Sequence, residues 1–192
     1  MLKKIVAIIA LLAPLAAAGA SVEELNVAFR DGAYRAQMVA QLEASPRQVR
    51  RMLTDFDNLE RINASVKESE VVAPNSRETS VRVRTRVRNC LAIFCQELTR
   101  VEAVKVSRYT IRSRIIPEKS DFEEGKSLWL ITPSAGGTRL EVRLHMVPES
   151  ELPTFAANLM ARDLEDKLRQ TLARIEQQGS PADPERSGSR AF

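Results

Sequence analysis

Val81-Arg82-Val83-Arg84-Thr85-Arg86-Val87-Arg88 alternates β-branched residues with arginines over eight positions. Successive side chains point to opposite faces of a strand, so this stretch reads as a strand with one dry face and one wet face, the pattern of an antiparallel sheet. The neighbouring segments repeat it. Ile111, Ser113 and Ile115 alternate with Arg112 and Arg114, Leu128 to Ile131 is apolar on both faces, and Leu140, Val142, Leu144 and Met146 follow a turn at Pro133 to Thr138 that contains Gly136-Gly137. From Val66 to Val147 the chain therefore reads as a meander of antiparallel strands.

Between the arginine strand and the returning strand Gln96 to Val104 lies Cys90-Leu91-Ala92-Ile93-Phe94-Cys95, where the two cysteines of the chain bracket four apolar residues at a hairpin tip. A four-residue connection can set its flanking residues opposite each other, roughly the 5.5 Å Cα separation of a disulfide. Closing so small a ring contributes roughly 2 kcal/mol by loop entropy. Two buried thiols are the alternative reading. A metal site would need further Cys or His ligands, and the chain has a single histidine.

Upstream of the meander, Asp31-Gly32 is a two-residue hairpin signal joining a strand at Leu25 to Arg30 to a longer one. In the longer strand Tyr34, Ala36, Met38, Ala40, Leu42 and Ala44 share one face, and Arg35, Gln37, Gln41 and Glu43 the other. Ser45 reads as a helix N-cap, with Pro46 at the first helical position and Gln48 completing a capping box. The short helix carries Val49, Met52, Leu53 and Phe56 at helical spacing, ends at Asp57-Asn58, and is followed by a further helical turn through Ile62.

Downstream, Pro153 opens a long helix in which Phe155, Leu159, Met160, Leu164, Leu168, Leu172 and Ile175 form an apolar stripe, over roughly 35 Å. Asp163 with Lys167 and Glu165 with Arg169 are opposite charges at i and i+4, expected on the outer face. The tail, 179–192, has the Gly, Ser, Pro and charged composition of a disordered segment.

Residues 1–20 read as a signal peptide: a basic start at Lys3-Lys4, an apolar run from Ile5 to Ala16, and Ala18-Gly19-Ala20 as a small-x-small cleavage site. The apolar run is shorter than the roughly 20 residues of a membrane span. The expectation is a soluble secreted protein, periplasmic in a Gram-negative cell, with a single domain at 21–178. Losing Lys3 and Lys4 lowers the formal charge from +4 to +2. The remaining cations are mostly arginine, whose forked donors suit phosphate and carboxylate. Export argues against nucleic acid as a partner and points to anionic lipid headgroups.

The order of hairpin, short helices, long meander and long terminal helix implies an α+β fold, a curved antiparallel sheet wrapped around a C-terminal helix. Particular residues carry a family resemblance. Ser45-Pro46, the Val49 to Leu53 helix and Asp55-Phe56-Asp57-Asn58-Leu59 resemble the opening segment of the START-like (SRPBCC) superfamily, which includes polyketide cyclases/dehydrases and coenzyme-Q-binding START proteins. Ser120-Asp121-Phe122-Glu123-Glu124-Gly125, then Trp129, Pro133, Gly137-Thr138 and Pro148, are similar to the second half of its exported bacterial members. The likeness spans about Leu25 to Gln177, and it departs at Ile62, where an aromatic residue is often found.

The resemblance implies a helix-grip fold with a cavity for a hydrophobic ligand between sheet and helix. Met38, Val83, Thr85, Ile111, Ser113, Trp129, Phe155, Leu159 and Met160 are the candidate walls, with a filled core as the alternative. Thr85 and Ser113 stand out because a hydroxyl on a dry face needs a partner: ligand, water or backbone carbonyl. Arg82, Arg84, Arg86, Arg88, Arg112 and Arg114 should share the outer face, joined by Arg139 and Arg143, with Glu102 and Glu141 as cross-strand partners. That face is either a solvated, salt-bridged surface or, with Leu91, Ile93 and Phe94 as a shallow anchor, a contact for anionic membrane.

His145 lies among outward-facing positions, and no Ser/His/Asp set, glycine-rich phosphate loop or metal-ligand cluster is visible, so neither cofactor nor metal is expected. Asp55 and Asp57 read as turn formers. A periplasmic carrier or sensor for a lipid, quinone or isoprenoid fits best. A cyclase or dehydratase acting in the same cavity, which requires polar groups converging inside it, and a partner-binding protein with a filled core are the alternatives.

Overall fold

The computed structural model describes residues 19–72, 80–91, 94–150 and 153–179. The apolar run of the expected signal peptide and the expected tail beyond 179 lie outside the described residues. Gly179 itself, assigned to the tail from composition, is the buried last residue of the terminal helix.

Among the described residues eight strands form one antiparallel sheet: β1 (Ser21–Arg30), β2 (Ala33–Leu42), β3 (Val66–Val72), β4 (Val81–Leu91), β5 (Phe94–Val106), β6 (Thr110–Ile115), β7 (Phe122–Ser134) and β8 (Gly137–Pro148). Their spatial order is β1-β2-β8-β7-β6-β5-β4-β3. The last strand thus docks on the second, and the segment between β2 and β3 crosses from one half of the sheet to the far edge. That segment holds α1 (Pro46–Leu53) and a 3-10 turn (Leu59–Arg61). The long helix α2 (Thr154–Gly179) follows β8. The result is the curved sheet and terminal helix anticipated from the order of elements.

Local chemistry sets the joints. Asp31 and Gly32 both take left-handed φ values, 51° and 73°, as a two-residue turn matching strand twist requires. Ser45 caps α1 with the full reciprocal box: its Oγ accepts the Gln48 N–H, and Gln48 Oε1 accepts the Ser45 N–H at 2.9 Å. Gly137 sits where the start of β8 runs against the end of β2; a Cβ there would meet the Leu42 carbonyl oxygen at 2.0 Å.

One face of β2 supplies the core. Ala36, Met38, Ala40 and Leu42 pack with Val49 and Leu53 of α1, Ile131, Leu140 and Val142 of the sheet, and Leu168, Leu172 and Ile175 of α2. A smaller cluster lies under the start of α2, where Ala157 and Ala161 meet Tyr34, with Phe29 beside them. Glu176 fastens the far end: both carboxylate oxygens accept the Glu43 backbone N–H.

Candidate ligand-binding cavity

The sheet and α2 close on each other at both ends of the helix and leave space between. An inner lobe of about 170 Å³ is walled by Leu53, Phe56 and Ile62 from the α1 segment, Ile111, Ser113, Ser127 and Trp129 from the sheet, and Leu168 from α2. A mouth lobe of about 240 Å³ is bordered by Tyr34, Ser65, Val87, Leu98, Phe122 and Met160. Asn63, Arg100, Met146, Leu164 and Lys167 border both lobes and form the waist between them.

The dry side of this space carries an unexpected polar set. Register pairs Thr85 with Arg100 and Val83 with Glu102, so both charged residues stand on the inner face of β5. Arg100 Nε lies 3.0 Å from Glu102 Oε2, with the side chains only 22% and 13% exposed. Ser113 Oγ donates to Glu102 Oε1 at 2.6 Å and lies 2.8 Å from Ser127 Oγ. At the waist Lys167 pairs with Asp163 at 3.8 Å. Tyr34 Oη and Ser65 Oγ, on the mouth, are buried with no hydrogen-bond partner among the described residues. Burial pushes the Tyr34 phenol above its ordinary pKa.

Of the candidate walls, Ile111, Ser113 and Trp129 border the inner lobe and Met160 the mouth. Met38, Val83 and Thr85 do not: each is at most 2% exposed and lies deeper, in close-packed core. The Thr85 hydroxyl finds a backbone partner, donating to the Arg100 carbonyl at 3.3 Å. Phe155 and Leu159 are displaced the opposite way, 71% and 43% exposed. Here the small Ala157 and Ala161 take the inward positions, where the first turns of α2 pack against Tyr34.

Arg84, Arg86, Arg88, Arg112 and Arg114 are exposed and Arg82 partly so. Arg84 pairs with Glu70, and Arg86 with Glu68, across β3 and β4. Arg139 pairs with Glu141 at 2.7 Å, whereas Glu102, expected among those outer partners, is inside. Asp163 and Lys167 border the cavity and not the outer face; Glu165 and Arg169 pair at 3.0 Å with both side chains substantially exposed.

Cys90 and Cys95 form a disulfide with Cα atoms 4.0 Å apart. Strand pairing continues through Leu91 and Phe94, so the connection is two residues long and not four. Ile93 and the side chains of Leu91 and Phe94 lie outside the described residues. His145 Nε2 stands 3.9 Å from Glu124 Oε1. Asp55 accepts from the Asn58 side chain at 2.8 Å, a local turn contact, whereas Asp57, read as a turn former, accepts from the Val71 N–H at 2.9 Å and ties the segment to β3. Among the described residues no cluster of three His, Cys, Asp or Glu could hold a metal, and no helix is long and apolar enough to cross a membrane.

The sequence reading did not single out Arg100 and set Glu102 on the outer face, because Val101 and Ala103 carry the apolar phase of their strand. The cysteine pair held the missing signal. With Cys90 opposite Cys95, counting back along the ladder sets Arg100 against Thr85 and Glu102 against Val83. Val101 is nonetheless buried, its backbone bonded to Ile116 N and Ser120 Oγ.

No curated protein sequence matches the chain significantly. Among solved structures, a STAR-related lipid transfer protein from Xanthomonas axonopodis superposes with a TM-score of 0.59 at 16% identity, covering 82% of this chain and 99% of that one. The Zhui aromatase/cyclase from Streptomyces sp. R1128 gives 0.61 at 15%, covering 77% and 93%. A START superfamily protein from Mycobacterium smegmatis gives 0.59 at 19%, covering 75% and 97%. At these identities the likeness establishes the START-like fold. Residues 34–178 match the family described as polyketide cyclase / dehydrase and lipid transport, and the chain belongs to that family.

Proposed function

We propose that the protein is an exported, periplasmic carrier or sensor that holds a hydrophobic small molecule such as a lipid, quinone or isoprenoid between the sheet and α2. The observation that carries this reading is the pair of adjoining lobes between sheet and α2, one of them apolar along Leu53, Phe56, Ile62, Ile111, Trp129 and Leu168, which meet at the shared waist residues. Family membership and the lipid transfer role named for the Xanthomonas relative support it. Native mass spectrometry of residues 21–192 purified from the periplasm, followed by solvent extraction, tests it. A lipophile at near-stoichiometric occupancy is the expected result; an empty protein that also takes up no apolar probe overturns it.

A second reading rests on Arg100, Glu102, Ser113 and Ser127. Polar groups converging in the cavity are what a cyclase or dehydratase needs to polarise a carbonyl and move a proton. Turnover of an extracted ligand by the purified protein, lost in E102Q, would favour it.

The outer arginines and the Leu91, Ile93 and Phe94 loop extend the carrier reading to anionic membrane. Co-sedimentation of the protein with anionic liposomes, abolished in an I93S/F94S variant of unchanged melting temperature, is the expected outcome.

A further inference from the structure

We infer that the inner lobe selects ligands that bring a hydrogen-bond donor, a lipid alcohol or phenol, and that Ser127 is the residue that reads it. The inference rests on the cavity-binding reading and concerns which chemistry enters the cavity.

The argument is the polarity of one hydrogen-bond chain. Glu102 stands against the Arg100 guanidinium at 3.0 Å, and an ion-paired carboxylate accepts hydrogen bonds but donates none. Ser113 therefore spends its single proton on Glu102 Oε1, at 2.6 Å. The contact between Ser113 Oγ and Ser127 Oγ, at 2.8 Å, leaves only one assignment: Ser127 donates and Ser113 accepts. Ser127 is then left with lone pairs alone. Since Ser127 borders the inner lobe, the chain ends there as an acceptor. Arg100 borders the same lobe and supplies donors. A hydroxyl, which gives one proton and accepts another, matches both; an ether offers Ser127 nothing but opposed lone pairs.

Charge argues for the same class. Arg100 is compensated by Glu102, and Lys167 by Asp163 at 3.8 Å, so the two cations at the waist do not call for an anionic ligand.

Three matched probes test this by calorimetric titration: 4-hexylphenol, its methyl ether 4-hexylanisole, and hexylbenzene. The phenol is expected to bind the wild-type protein about tenfold tighter than the ether. S127A should bring the phenol down to the level of the ether. S113A, checked for fold by circular dichroism, should do something a merely structural role would not: it returns the Ser127 proton to the cavity and tightens binding of the ether several-fold. Equal wild-type affinities for phenol and ether, or a preference surviving in S127A, overturn the inference and leave the cavity-binding reading standing. Failure of all three probes to bind overturns both.

Discussion

The carboxylate of Glu176, in the last turns of α2, accepts the backbone N–H of Glu43, just past the end of β2, at 3.0 and 3.2 Å. Burial raises its pKa above the ordinary value, and the nearby Glu43 charge adds to this, while the N–H groups of Glu43 and Ala44 work against it. A group whose folded pKa is raised contributes stability that is full below its unfolded value and is lost as the pH climbs through the folded value. The melting temperature of the wild type relative to E176Q should therefore be higher at pH 4 than at pH 7. A difference that grows toward neutral pH would contradict the assignment.

Replacing Gly137 by Ala places a Cβ 2.0 Å from the Leu42 carbonyl oxygen, and also within 2.9 Å of Glu43 backbone atoms. Neither is the flexible end of a side chain, so strand β8 must move. G137A should cost about 1–3 kcal/mol in denaturant unfolding. A midpoint unchanged from wild type would mean that the two strands separate freely.

Removing one member of a half-buried ion pair leaves the other uncompensated, whereas replacing both with apolar residues of similar size does not. E102Q should lose about 1–3 kcal/mol, and R100M/E102L should recover at least half of that loss. If the double variant is less stable than E102Q, the pair is a net contributor to the fold and not a cost carried for the cavity.

Opening the Cys90–Cys95 bond in C90S/C95S removes a constraint on the unfolded chain worth about 2 kcal/mol. For a domain of this size that lowers the melting temperature by about 5 °C. Dithiothreitol should lower the wild type as far and leave the variant unmoved; a reducing agent without effect would show that the hairpin tip is set by strand pairing alone.

Much of this architecture was legible because alternation, caps and turns are local. The Val81 to Arg88 alternation, the Ser45–Gln48 box and Asp31-Gly32 each produced the element they imply. The cavity was less so. Its polar wall depends on how β5 pairs with β4, and Val101 and Ala103 gave that strand a misleading apolar phase. The walls at Phe155 and Leu159 failed for another reason: periodicity ranks positions by hydrophobicity, while the helix turned Ala157 and Ala161 toward Tyr34 and left Phe155 and Leu159 exposed. Depth, too, has no sequence signature, so Met38 and Val83 passed for walls while lying in packed core.

The pairing of β2 with β8 joins Tyr34 to Met146 and Leu42 to Thr138, segments separated by most of the chain. A ribosome delivers the first hairpin long before its partner strand exists, and that hairpin presents a flank of Ala36, Met38, Ala40 and Leu42 with nothing to cover it. Loop closure over such a distance is also slow to pay back in contacts. Burial of that flank is therefore complete only when β8 and α2 have joined it, so the two ends of the domain close the core together.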